Sequence, residues 1–121
     1  MDVGKSRSPR IRIQPLSQTS RVSTFTLYVV VRAAHGFDDA AVAAMGSRLR
    51  PDDEGLCIWR DDADPSLVRV SIDCPADDLA GALDLGRALA DETAASSPFD
   101  AAVEEVVAMD DVQQLVWRAK P

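Results

Sequence analysis

The run Thr24-Phe25-Thr26-Leu27-Tyr28-Val29-Val30-Val31-Arg32-Ala33 is the strongest constraint on this fold. Its β-branched and aromatic residues suit a pleated, half-buried surface along the whole length. Successive side chains of a strand point to opposite faces. Phe25, Leu27, Val29, Val31 and Ala33 therefore share one fully apolar face, and Thr24, Thr26, Tyr28, Val30 and Arg32 share a mixed one. Such a strand belongs in the centre of a sheet, with helices over the apolar face. The mixed face is left for water, a ligand or a second subunit.

The rest of the chain supplies the partners. Gly36 permits a turn, and Asp38 or Asp39 can accept hydrogen bonds from the first N–H groups of a helix. That helix is expected to run to about Leu49, with Phe37, Ala41, Val42, Met45 and Leu49 inward and Pro51 ending it. Asp52 to Gly55 reads as a turn and Leu56 to Arg60 as a short strand. Asp61-Asp62-Ala63-Asp64-Pro65 reads as a hairpin connection. Leu67 to Asp73 alternates cleanly, with Val68, Val70 and Ile72 inward. The facing of the short strand is open: one register buries Trp59 and Cys57, and a one-residue slip buries Leu56 and Ile58 instead.

Pro75-Ala76-Asp77-Asp78 is expected to open a second helix that ends near Thr93. Leu79, Ala82, Leu83, Gly86, Leu89 and Ala90 form its buried stripe. The small residues Ala80, Ala82, Gly86 and Ala90 let it lie close on a sheet. Residues 103–109 and 112–117 suit two strands joined at Asp110-Asp111. A helix over 110–118 is the alternative, since Val112, Leu115 and Val116 also fit helical spacing.

The expected fold class is α+β: a ferredoxin-like βαββαβ antiparallel sheet with two helices on one face and an extra C-terminal strand or short helix. In element order it resembles small ligand-sensing domains such as ACT domains. Fold alone does not give function.

Charge divides the chain. Residues 1–21 hold five basic residues and one acidic, a net +4, while residues 22–121 hold eight basic and nineteen acidic, a net −11. The first part, rich in Ser, Arg, Gln and Pro, reads as a flexible basic tail. Ile11, Ile13 and Leu16 are its one possible short edge strand. The second part reads as a single acidic domain that repels nucleic acid and anionic membrane. Arginine is nearly the only base, and with the abundant alanine and aspartate this suggests a high-G+C bacterial source.

No apolar run approaches the ~20 residues of a membrane helix, and no secretory signal is present, so the cytoplasm is the expected compartment. Cys57 and Cys74 form no C-x-x-C and read as reduced, partly buried thiols. With one histidine, no metal set is expected and no cofactor motif occurs. Asp61-Asp62-Ala63-Asp64 lacks the glycine and closing glutamate of a calcium loop and reads as a solvated turn.

The candidate ligand-binding residues are Tyr28, Arg32, His35 and Arg69. Tyr28, Arg32 and Arg69 are expected to converge on the open sheet face, where two guanidinium groups beside a phenol suit a small carboxylate or phosphate ligand. His35 precedes a helix start, a position that often carries function. No catalytic set is visible. The expected function is a non-enzymatic binding or regulatory module that forms a homodimer, or takes a protein partner, through its sheet. The alternative is a cofactor-independent enzyme of the dimeric α+β barrel type with a pocket near His35 and Tyr28.

Overall fold

In a computed structural model, described here for residues 23–49 and 55–120, the valine-rich run is strand β1 (Ser23–Ala33). The chain continues through α1 (Asp39–Arg48), β2 (Cys57–Arg60), β3 (Leu67–Ala76), α2 (Leu79–Ser96), β4 (Ala101–Met109) and β5 (Gln114–Arg118). The expected basic tail, its edge strand, and the Asp52–Glu54 turn with Pro51 lie outside the described residues. The strands form one five-stranded antiparallel sheet in the order β2-β3-β1-β4-β5, so the fold is α+β.

β1 pairs with β3 from Ser23 opposite Ala76 to Arg32 opposite Leu67, and with β4 from Thr26 opposite Met109 to Ala33 opposite Ala101. Its apolar face is buried throughout: Phe25, Leu27, Val29, Val31 and Ala33 join Val68, Val70, Ile72, Val106 and Ala108 from the neighbouring strands. The helices cover this side with Ala41, Met45, Ala82, Leu89 and Ala90. Each valine, leucine, isoleucine, phenylalanine or methionine fully removed from water contributes about 1.5–3 kcal/mol, and each alanine methyl less.

Both helices start where an aspartate can receive free N–H groups. Asp38 accepts from the Ala41 N–H at 2.7 Å and Asp78 from the Gly81 N–H at 2.7 Å. The turn before α1 depends on Gly36, whose φ of +80° is strained for any residue with a Cβ. Its N–H donates to the Ala33 carbonyl at 3.0 Å, and the next N–H, of Phe37, reaches the Pro65 carbonyl at 2.8 Å. Arg60 ties β2 to the start of α1 through the Phe37 carbonyl at 3.0 Å and Asp39 at 3.1 Å.

Three boundaries differ from the sequence reading. Pro75 and Ala76 do not open α2; they continue β3, because β1 still offers Thr24 and Ser23 as partners there. α2 then starts at Leu79 and runs past Thr93 to Ser96. The hydroxyl of Thr93 donates to the Leu89 carbonyl at 2.7 Å and that of Ser96 to the Thr93 carbonyl at 2.6 Å, so both polar groups are satisfied inside the buried last turns. Ala80 is exposed and takes no part in the close approach. Residues 114–118 are a strand, not a helix.

The β2–β3 register is settled by Arg60 lying opposite Val68 and Ile58 opposite Val70. Leu56 and Ile58 therefore pack against the core, while Trp59 and Cys57 turn to the open side.

Gly86 is the point where α2 touches the sheet most closely. A Cβ built there would lie 2.8 Å from Cγ1 of the buried Val106 and 3.6 Å from Leu27. Gly86→Val should therefore lower unfolding free energy by about 2 kcal/mol or more, since overpacking a filled core costs about 1–3 kcal/mol. Urea titration of both proteins, followed by circular dichroism, checks this. An unchanged midpoint would mean the helix rides higher than described.

Candidate functional site

The face of the sheet away from the helices carries no covering layer among the described residues. Strand register assembles it row by row. The middle row is Cys57, Ser71, Tyr28, Val107 and Val116, one residue from each strand and none of them charged. The next row is Trp59, Arg69, Val30, Glu105 and Arg118. On the other side lie Asp73, Thr26, Met109 and Gln114. Tyr28, Trp59 and Val116 are exposed at 39%, 40% and 41%.

Val30 is 4% exposed although it lies on this uncovered face. Its cross-strand neighbours are Arg69 and Glu105, whose long aliphatic stems can cover it while their charged ends stay wet.

Ion pairs border the uncharged row on one side. Arg32 sits at the end of β1 beside a β-bulge. Val30 is opposite Glu105 and Val31 opposite Val103, so Glu104 is the extra residue of β4. The bulge brings Glu104 beside Arg32, which grips it in a two-pronged bond through Nε and Nη2. Arg32 Nη1 also donates to Ser66 Oγ at 2.6 Å, and Ser66 Oγ donates to Asp64 Oδ1 at 2.6 Å. Hydrogen bonding to Glu104 raises the pKa of Arg32, with the nearby carboxylate charges adding to it. Arg69 holds Asp61 through Nε at 2.8 Å and Nη2 at 2.8 Å. Arg118 holds Glu105 at 2.7 Å, and Thr26 donates to Asp73 at 2.7 Å.

The hairpin aspartates are structural acceptors. Asp61 Oδ1 receives the N–H of Ala63 at 2.8 Å and Asp64 Oδ1 that of Ser66 at 3.0 Å. The Ala63 bond, followed by the Arg69 bond, holds the Asp61 carboxyl below the usual range. Ser66 is the main cause of the same shift at Asp64, with Arg32 adding to it. No group of three or more His, Cys, Asp or Glu residues suited to a metal ion occurs among the described residues.

The structure thus brings Tyr28, Arg32 and Arg69 onto one face. Tyr28 lies opposite Ser71, one row from Arg69, and Arg32 lies two residues beyond Val30 on the same strand face. It does not bring His35 to Tyr28. His35 is an exposed turn residue past the end of β1, and five residues of strand, about 16 Å, separate Tyr28 from Ala33. An open cleft of about 750 Å³ lies at that end, lined by Arg32, Ala34, Ala102, Glu104 and Lys120 among others; neither His35 nor Tyr28 lines it.

The sequence reading missed Glu104 and Ser66 as partners of Arg32, and left the side of Trp59 open between two registers. No local pattern marks a bulge at Glu104. Cys57 and Cys74 are not joined in a disulfide, but Cys57 is exposed, not partly buried as expected, because the register turns it to the open side.

No described helix is long and apolar enough to cross a membrane. No family model matches the chain, and neither a curated protein nor a solved structure matches it either.

The depressed Asp61 pKa fixes a sign. Its contribution to stability is present above the ordinary aspartate value, about 3.9, and is lost as pH falls through the lower folded value. A carboxyl-carbon NMR titration should show Asp61 titrating below that ordinary value. In Arg69→Gln the midpoint should rise only part of the way, because the Ala63 N–H bond, the larger cause, remains. A full return to the ordinary value would mean that Arg69 alone holds the carboxylate.

Proposed function

We propose that this chain is a small non-enzymatic binding module of ferredoxin-like topology that pairs with a second copy of itself through the open face of its sheet. The observation that supports it most is the uncharged row from Cys57 through Tyr28 to Val116, which crosses all five strands with nothing laid over it among the described residues.

Size and charge agree with this reading. Five strands at about 4.8 Å spacing and eight residue steps from Thr24 to Arg32 give a face of about 600 Å². That is close to the ~800 Å² each partner contributes to a stable complex. Residues 22–121 carry a net −11, so two copies repel over most of their surface. On the open face Arg32, Arg69 and Arg118 are each matched by carboxylates in the same face. Repulsion is weakest there, and an isologous contact needs a self-compatible surface.

The carboxylates already in both guanidinium forks favour a partner surface over a small-anion pocket at Tyr28, Arg32 and Arg69. A body this acidic suits neither nucleic acid nor anionic membrane. The exposed thiol of Cys57 suits a reducing compartment and hence the cytoplasm.

Sedimentation velocity of the full chain should give twice the 13.0 kDa chain mass. Tyr28→Asp puts a charge in the middle of the row at a half-exposed position, so it should leave the fold intact and shift the chain to monomer. A wild-type chain that stays monomeric at high concentration, or a Tyr28→Asp chain that dimerises equally well, sinks the proposal.

A further inference from the structure

β5 is the outer strand of the sheet, and among the described residues nothing pairs with its free edge. The phase of the hairpin fixes which groups face outward. The Asp110 N–H bonds the Gln113 carbonyl at 3.0 Å and the Ala119 N–H bonds the Glu104 carbonyl at 3.0 Å. In an antiparallel ladder the hydrogen-bonded pairs alternate with non-bonded ones. Leu115 opposite Ala108 and Trp117 opposite Val106 are thus the bonded pairs. The N–H and C=O groups of Gln114, Val116 and Arg118 point away from β4, toward the free edge.

This edge lacks the usual protection. It has no proline, no bulge and no lysine within Gln114–Arg118. It is also unusually apolar. Val112, Leu115 and Val116 are exposed at 86%, 38% and 41%, three large apolar side chains within five residues of sequence. At the opposite edge, β2 has only four residues, and Arg60 is held there by the start of α1.

We propose that residues 10–14 of the same chain, Arg10-Ile11-Arg12-Ile13-Gln14, lie along β5 as a sixth strand antiparallel to it. Four features of the chain point to this occupant. The segment alternates basic or polar with β-branched residues, the pattern of a strand with one apolar face. Pro9 and Pro15 bound it to five residues, the length of β5.

Its position also fits. Thr26 lies opposite Met109 and Met109 opposite Gln114, so the chain enters β1 at the same end of the sheet where β5 begins. A strand antiparallel to β5 finishes at that end. The new position lies three strands from β1, about 14 Å. Residues 15–22 provide eight residues, which reach about 26 Å when extended.

Charge favours the same placement. The first 21 residues carry +4 against a body of −11, and the connection would bring Arg21 past the acidic hairpin tip Asp110-Asp111. Ile11 and Ile13 then share the face of Leu115 and Trp117. Covalent attachment holds the segment near the edge at high effective concentration, so a short strand suffices. The placement does not depend on the open face binding a second copy; a monomer can hold its own sixth strand.

Hydrogen exchange by NMR on the full chain tests this. The amides of Val116 and Arg118 should be protected, and the protection should not change with protein concentration. In the full chain carrying Ile11→Asp and Ile13→Asp those two amides should exchange at least about tenfold faster, while Leu115 and Trp117, bonded to β4, stay as they were. Cross-strand Hα contacts between residues 10–14 and 114–118 should be present only in the wild type. Rapid exchange at Val116 and Arg118 in the wild type overturns the proposal, as does protection that survives the double substitution. Protection that grows with concentration overturns it too, because a second copy would then be the occupant.

Discussion

The pairing of β1 on both sides is the interaction on which everything else rests. Ten residues of β1 are in register with β3, and eight with β4. Those two ladders fix the positions of the strands that connect to each helix. Once they form, the apolar face of β1 becomes the floor on which α1 and α2 sit. A slip of one residue in either ladder would move Leu27, Val29 and Val31 to the open side and destroy the core. The register is therefore set by burial, and the open face inherits whatever that register leaves over.

What it leaves over is ordered by charge. The bulge at Glu104 places a second carboxylate at the end of β4 where Arg32 can take it, alongside Glu105, which pairs with Arg118. Exposed pairs of this kind contribute little to stability, about 0–1 kcal/mol each. Their consequence is different. They hold three arginines in place, neutralise them, and leave an uncharged band beside them.

Much of the fold was legible because strong local signals agreed with one another. The alternation of Leu67–Ile72, the aspartates at Asp38 and Asp78, and the valine-rich segment each had one sensible reading, and element order followed. The hairpin at Asp110 was harder, since Val112, Leu115 and Val116 fit helical spacing while the valines and Trp117 favour a strand; the ladder to β4 decided in favour of a strand. The position of Trp59 was not legible, because the loop from Asp61 to Ser66 allows either register. Its hydrogen bonds, Asp61 N–H to Leu67 and Leu67 N–H to Asp64, select one. The convergence of Tyr28, Arg32 and Arg69 on one face could be read from alternation alone. Their partners could not, since a bulge is a property of two strands together and leaves no mark in either.

The two unpartnered surfaces of this sheet differ in the kind of contact they offer. The open face offers side chains: a phenol, a tryptophan, valines and neutralised charges, which suit broad contact and discriminate by shape. The β5 edge offers backbone groups, which bond any extended segment and discriminate poorly. An exposed edge of the second kind is a hazard to any chain, because it invites pairing without selection. Filling it with a segment already attached to the chain removes that hazard and leaves selection to the face. Under the two proposals the basic segment would close the edge from within, and association would be confined to the open face.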